Sequence, residues 1–101
     1  MYRHRFHFSV ERGHYNEFFK SMEKLNRINR ERGWKEFRMW GLVFGPINHV
    51  VLETEYPDLA TLEREYKAFQ QDGEAMKVWR EPSDIVEDAY DELWEEAIPA
   101  A

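Results

Sequence analysis

The stretch from Lys35 to Tyr56, KEFRMWGLVFGPINHVVLETEY, constrains the fold more than any other part of the chain. It reads as two β-strands joined at Gly45-Pro46, with one amphipathic helix before it and another after it. Side chains along a strand alternate between faces. A tip at Gly45-Pro46 therefore sets Arg38 opposite Glu53, Trp40 opposite Val51 and Leu42 opposite His49 on one face. The other face pairs Phe37 with Thr54, Met39 with Leu52, Gly41 with Val50 and Val43 with Asn48. An even-numbered loop keeps this register and an odd-numbered one breaks it. The Phe37 face is the more uniformly apolar and is expected to pack on helices. The Arg38 face mixes charge, aromatic rings and His49. A sheet with two half-apolar faces needs a cover on each. The chain's own helices can supply one, and a partner subunit is the natural source of the other.

The flanking segments complete the pattern. From Tyr2 to Val10 the chain alternates, with Tyr2, His4, Phe6, Phe8 and Val10 on one face and Arg3, Arg5, His7 and Ser9 on the other. Gly13 breaks that strand. A helix follows to about Arg32, its apolar face marked by Tyr15, Phe18, Phe19, Met22, Leu25 and Ile28. Glu17 near its start and Lys24, Arg27, Arg30 and Arg32 towards its end suit the helix dipole, and Gly33 stands where a C-terminal cap belongs. After the hairpin, Pro57 stops the strand and Asp58 caps a second helix. Leu59, Leu62, Tyr66, Phe69, Met76 and Trp79 mark its expected buried stripe. Gly73 predicts an end near Asp72 and a short restart through Trp79, closed by Glu81-Pro82. The segment from Asp84 to Ile98 has helical propensity, with Ile85, Ala89, Leu93 and Ala97 in helical register, but Tyr90 and Trp94 also suit a strand.

At 101 residues the chain is expected to form one domain, residues 1–101. It has no cysteine, which removes disulfides, thiolate metal sites and thiol nucleophiles and suits a cytoplasmic location. No apolar run approaches the roughly 20 residues of a membrane span, and MYRHRFHF lacks the apolar middle of a signal peptide. The net charge of −6 argues against nucleic acid as a partner. That charge is uneven: eight acids and no base lie between Glu81 and the end, so the first 80 residues are slightly basic.

The order strand–helix–strand–strand–helix–strand is an α+β, ferredoxin-like βαββαβ unit with an antiparallel sheet. Two segments carry a more specific likeness: Gly45-Pro46-Ile47-Asn48-His49-Val50-Val51, and Glu55-Tyr56-Pro57-Asp58-Leu59-Ala60-Thr61-Leu62-Glu63. With them the chain resembles the dimeric α/β-barrel superfamily and, within it, the NIPSNAP-like domains. The resemblance implies a homodimer whose two sheets face each other, with the helices outside. It implies strand order 4-1-3-2, which makes residues 89–96 an edge strand beside strand one. Arg3, Arg5 and His7 would then neighbour Glu53 and Glu55. The superfamily hosts oxygenases, isomerases, haem-handling enzymes and domains with no known activity, so fold does not decide among them.

Two groups of residues are candidates for function. Arg5, His7, Arg38, Trp40, His49 and Glu53 share one sheet face. There Glu53, beside Arg38, could exchange protons with His7 or His49 as a relay, and a substrate could stack on Trp40. The same residues also read as an ion-pair network of a dimer interface. Tyr66, Phe69 and Trp79 form an aromatic stripe that either fills the core or lines a ligand cavity. His4 and His7 point to opposite faces of a strand and cannot chelate together, so no metal is expected, and His4 reads as a boundary or core histidine. Ser9, Ser21 and Ser83 have no triad partners around them, the glycines form no phosphate loop, and the acids after Asp84 form no calcium loop. Haem-binding relatives often use a helix histidine facing the sheet; the second helix has none and His14 stands at the start of the first, so no cofactor is expected. The expectation is a NIPSNAP-like small homodimeric α/β-barrel protein of undefined biochemical activity, with a small apolar or aromatic molecule as the candidate ligand. The rival is a cofactor-independent monooxygenase or isomerase acting on an aromatic or enol substrate.

Overall fold

A computed structural model describes residues 1–100. The elements are β1 (Tyr2–Val10), α1 (Tyr15–Arg32), β2 (Arg38–Gly41), β3 (His49–Tyr56), α2 (Leu59–Gln71), α3 (Gly73–Arg80) and β4 (Val86–Glu95), with a 3-10 turn over Glu81–Ile85. They build one antiparallel sheet of order β2-β3-β1-β4 with the helices on one side. This is the expected ferredoxin-like arrangement and strand order.

The hairpin register is as the alternation requires. Arg38 pairs with Glu53, Met39 with Leu52, Trp40 with Val51 and Gly41 with Val50. The strands are shorter than the apolar pattern implies. Before β2, the Asn26 side chain of α1 donates to the Phe37 carbonyl and accepts from the Phe37 N–H, both at 2.9 Å, so a helix amide replaces the strand partner there. Beyond Gly41 only the Leu42 N–H reaches the His49 carbonyl, at 3.3 Å. The expected Val43–Asn48 pair does not form, because Asn48 has a left-handed φ of 68° and its carbonyl accepts from Val10 N–H of β1 at 2.9 Å. Gly45, at φ 135°, permits the resulting wide turn.

The core lies between the sheet and α1. Phe8 and Val10 of β1, Val50 and Leu52 of β3 and Phe18, Met22, Leu25 and Ile28 of α1 are buried together, joined by Ala75 and Val78 of α3. Gly33 caps α1 in the left-handed conformation, and its N–H and that of Trp34 bond to the Arg30 and Asn29 carbonyls. Asp58 and Asp72 cap α2 and α3 by accepting from the N–H groups of Thr61 (2.7 Å) and Ala75 (3.0 Å).

Two expectations change. The stripe of the second helix is not buried: Leu59 and Tyr66 are exposed, Leu62, Phe69, Met76 and Trp79 are half-buried, and Thr61 is the one buried residue of α2. Helix α1 takes the centre of the sheet, and α2 stands off it. The acidic last segment is a strand from Val86, three residues earlier than position 89, despite its helical propensity. Pairing with the whole of β1 overrides that weak local preference.

Candidate functional site

The two groups of candidate residues lie on opposite sides of the sheet. On the side without helices, Arg3, Arg5 and His7 of β1, Arg38 and Trp40 of β2, His49, Glu53 and Glu55 of β3 and Tyr90, Glu92 and Trp94 of β4 share a face by register. Glu53 is buried at its centre. Its carboxylate accepts from the Trp40 indole N–H at 3.2 Å and lies 3.5 Å from Nε of both Arg3 and Arg5. Arg38 faces Glu53 across the ladder, but the carboxylate is held by these other three side chains. Arg5 Nε is buried and has Glu53 within ion-pair range without a hydrogen bond. Arg3 also bonds Glu55, which raises the guanidinium above its ordinary value.

Beside this network, His7 Nδ1 and His49 Nε2 are 2.9 Å apart, the other His7 nitrogen meets Glu92, and the Tyr90 ring stacks on the His7 ring at 4.4 Å. On this face Glu92 of β4 thus pairs with a histidine, and Arg3 and Arg5 take the β3 carboxylates. The face carries large exposed rings and aliphatic groups as well: Trp40 is 49% and Trp94 54% exposed, with Leu42 and Tyr90 close to half.

On the helix side, where α2 stands away from the sheet, there is a cleft of about 560 Å³. Its apolar wall is a run of rings in edge-to-face contact: Trp34 against Phe69 (6.3 Å), Phe69 against Trp79 (6.2 Å) and Trp79 against Phe6 (5.1 Å). Tyr66 and Leu62 of α2 and Leu93 of β4 also line it. Its polar groups come from the strands (His4, Thr54, Tyr56, Asp91), from α2 (Glu65, Gln70), and from Asn29 of α1 and Lys35 before β2. His4 stands opposite Thr54 on β3, and its Nε2 is 2.8 Å from Asp91 Oδ2 on β4. Burial pushes the Tyr56 phenol up to about 12, and the charge of Glu65 adds to this. That phenol therefore keeps its proton at neutral pH.

Of the residues singled out as ligand contacts, Tyr66 and Phe69 line the cleft, and Arg5 and Trp40 lie on the opposite face. His7, Arg38, His49 and Glu53 also belong to that opposite face. The cleft's own titratable pair, His4 and Asp91, was not among the candidates. A polar residue in the apolar row Tyr2, Phe6, Phe8, Val10 was the available signal for His4. Asp91 becomes its neighbour only when β4 pairs with β1. Among the described residues, no group of three or more histidines, aspartates and glutamates is placed to hold a metal.

No family model matches the sequence, and no curated protein matches it either. Solved structures do match. An uncharacterized NIPSNAP domain protein from Burkholderia xenovorans superposes with a TM-score of 0.80 at 18% identity, covering 100% of this chain and 96% of that one. A NIPSNAP family protein of unknown function from Agrobacterium tumefaciens gives 0.77 at 16% identity, covering 96% and 88%. The chain has the NIPSNAP-type fold. A putative antibiotic biosynthesis monooxygenase from Deinococcus radiodurans shares it too, at a TM-score of 0.73 and 12% identity over 100% and 99% of the two chains. At these identities the likeness concerns the ferredoxin-like architecture that NIPSNAP-type domains and these monooxygenases have in common.

Proposed function

We propose that this NIPSNAP-type chain is a homodimeric small-molecule-binding protein and that its ligand, apolar or aromatic, occupies the cleft between α2 and the sheet. The observation that carries the reading is the cleft itself. Its volume falls in the range of small-molecule sites, and a ring-lined wall with polar groups along its strands has the composition of one. A core stripe would have closed against the sheet. The opposite face supports the dimer: its exposed Trp40, Leu42, Tyr90 and Trp94 surround a charge network already neutralised within the chain.

The second reading, a cofactor-independent monooxygenase or isomerase acting on an aromatic or enol substrate, is favoured by one specific observation. The cleft holds a histidine–carboxylate pair and a protonated phenol among its apolar walls.

Native mass spectrometry tests subunit count and bound mass together, and quenching of tryptophan fluorescence by 1-naphthol tests the cleft. We expect a dimer, saturable quenching, and loss of quenching in Leu62→Trp, which fills the cleft. Unchanged affinity in a folded Leu62→Trp protein would place the ligand elsewhere, and a monomer at micromolar concentration would remove the face-to-face assembly.

A further inference from the structure

We propose that His4, oriented by Asp91, is a general base that moves a proton on the ligand of the cleft, and that this ligand is an aromatic-ring ketone able to enolise. The assignment rests on the cleft being the ligand site.

The geometry begins with the 2.8 Å contact between His4 Nε2 and Asp91 Oδ2. An ionised carboxylate only accepts hydrogen bonds, so Nε2 carries the hydrogen and the lone pair of the neutral ring is on Nδ1. No described residue hydrogen-bonds that Nδ1. The ring is set edge-on to Phe6 at 5.5 Å and 86°, and its side chain is 28% exposed, so it is shielded but reachable. A histidine fixed by a carboxylate on one nitrogen and free on the other is the arrangement general-base catalysis requires.

The chain has four histidines, and only His4 is placed this way. His7 and His49 bond to each other on the opposite face. His14 lies at the start of α1 between Glu11 and Glu17.

The cleft also supplies an oxygen donor. Tyr56 lines it on β3, two positions along from Thr54, which faces His4. The phenol retains its proton and can donate to an oxygen that gains negative charge. The step balances without any further reagent. His4 Nδ1 takes a proton from the carbon next to the ligand carbonyl. The C–H electron pair becomes the carbon–carbon double bond and the carbonyl π pair moves onto oxygen, where the Tyr56 O–H meets it. The imidazolium, facing the Asp91 carboxylate, returns the proton to the same or the alternate carbon. Return to the same carbon is α-hydrogen exchange through the enolate, and, for a β,γ-unsaturated ketone, return to the γ carbon is a double-bond shift.

The probe is 2-tetralone, a fused-ring ketone far smaller than the cleft, with hydrogens at C1 that exchange in D2O. Binding is read by tryptophan quenching and exchange by proton NMR, against buffer alone. Expected are saturable binding and accelerated exchange by the wild type and by His14→Gln. His4→Gln should bind equally well while its exchange falls about 100-fold or more, towards the buffer rate. Asp91→Asn should bind equally well and exchange slowly, and Asp91→Glu should recover part of the rate, which a merely structural role would not give. Wild-type exchange in His4→Gln overturns the assignment, as does full exchange in Asp91→Asn should His4→Gln not fold. Binding without acceleration by the wild type overturns the base and leaves the cleft standing. Absence of binding up to the solubility limit overturns both.

Discussion

Arg38 and Glu53 stand directly opposite each other across the β2–β3 ladder, but the Glu53 carboxylate is held by Arg3, Arg5 and Trp40. Register decides which Cα atoms face each other. Which charges pair depends on the strand on the other side as well, and β1 brings two guanidinium groups to the buried carboxylate.

Glu53→Gln should consequently cost about 2–4 kcal/mol, because it leaves two guanidinium groups facing a neutral amide at a buried position. Arg38→Ala should change stability by less than about 0.5 kcal/mol. Urea unfolding of the two variants checks the ranking, and equal losses would show that the cross-strand pair matters after all. Glu53→Gln should also leave 1-naphthol affinity unchanged, since the residue lies on the face away from the cleft.

Phe18 is fully buried against Phe8, whereas Phe69 is only half-buried along the cleft wall. Phe18→Ala should cost about 3–5 kcal/mol. Phe69→Ala should cost less than about 2 kcal/mol and weaken ligand binding instead, since it enlarges an existing space. Thermal unfolding with naphthol titration separates a core stripe from a cleft lining.

Tyr56 makes stability sensitive to alkali. Its phenol ionises near 10 in the unfolded chain and is pushed up to about 12 by burial in the fold. Between these values the unfolded chain releases a proton that the native chain retains. The contribution is complete below pH 10, is lost as pH rises towards 12, and then levels off. Allowing for the ring's partial exposure it amounts to about 1–2 kcal/mol. Tyr56→Phe should remove this part of the alkaline loss, as read from urea midpoints between pH 9 and pH 12.

Asp58 and Asp72 act on the acid side. Each is held below the usual carboxylate range, first by the backbone N–H it caps and, for Asp72, next by Arg32 at 2.9 Å. Their stabilisation is present above the unfolded value of 3.8 and is lost as pH falls through the lower folded values. Asp72→Asn keeps an N-cap acceptor but not a titrating charge. The variant should retain α3, by hydrogen exchange of its amides, while its stability varies less below pH 4 than that of the wild type.

The fold was largely legible because alternation fixes strand faces locally. Tyr2–Val10, the pairs from Arg38–Glu53 to Gly41–Val50, the Gly33 cap and the Asp58 cap all depend on neighbours close in the chain. The site was less so. Periodicity marks Leu62, Phe69 and Trp79 as one face of a helix, but it is silent on how far that helix stands from the sheet. The stand-off arises because α1 occupies the middle of the sheet. Likewise the reading of His4 as a core or boundary residue looked only at its own strand. Its partner Asp91 comes from 87 positions away.

The order β2-β3-β1-β4 has a consequence for how the protein is made. Strand β1 is synthesised before both of its neighbours and pairs on one edge with β3, but its other edge is satisfied only by residues 86–95, made after β3 and both following helices. Until then Tyr2–Val10 presents a row of unpaired backbone donors and acceptors on a strand rich in aromatic rings. The nascent chain therefore carries a sticky edge until β4 has emerged, and completion of the sheet is a long-range event. A chain interrupted before residue 86 has the core helices and the hairpin but leaves β1 open on one edge, the kind of unpaired strand that favours aggregation.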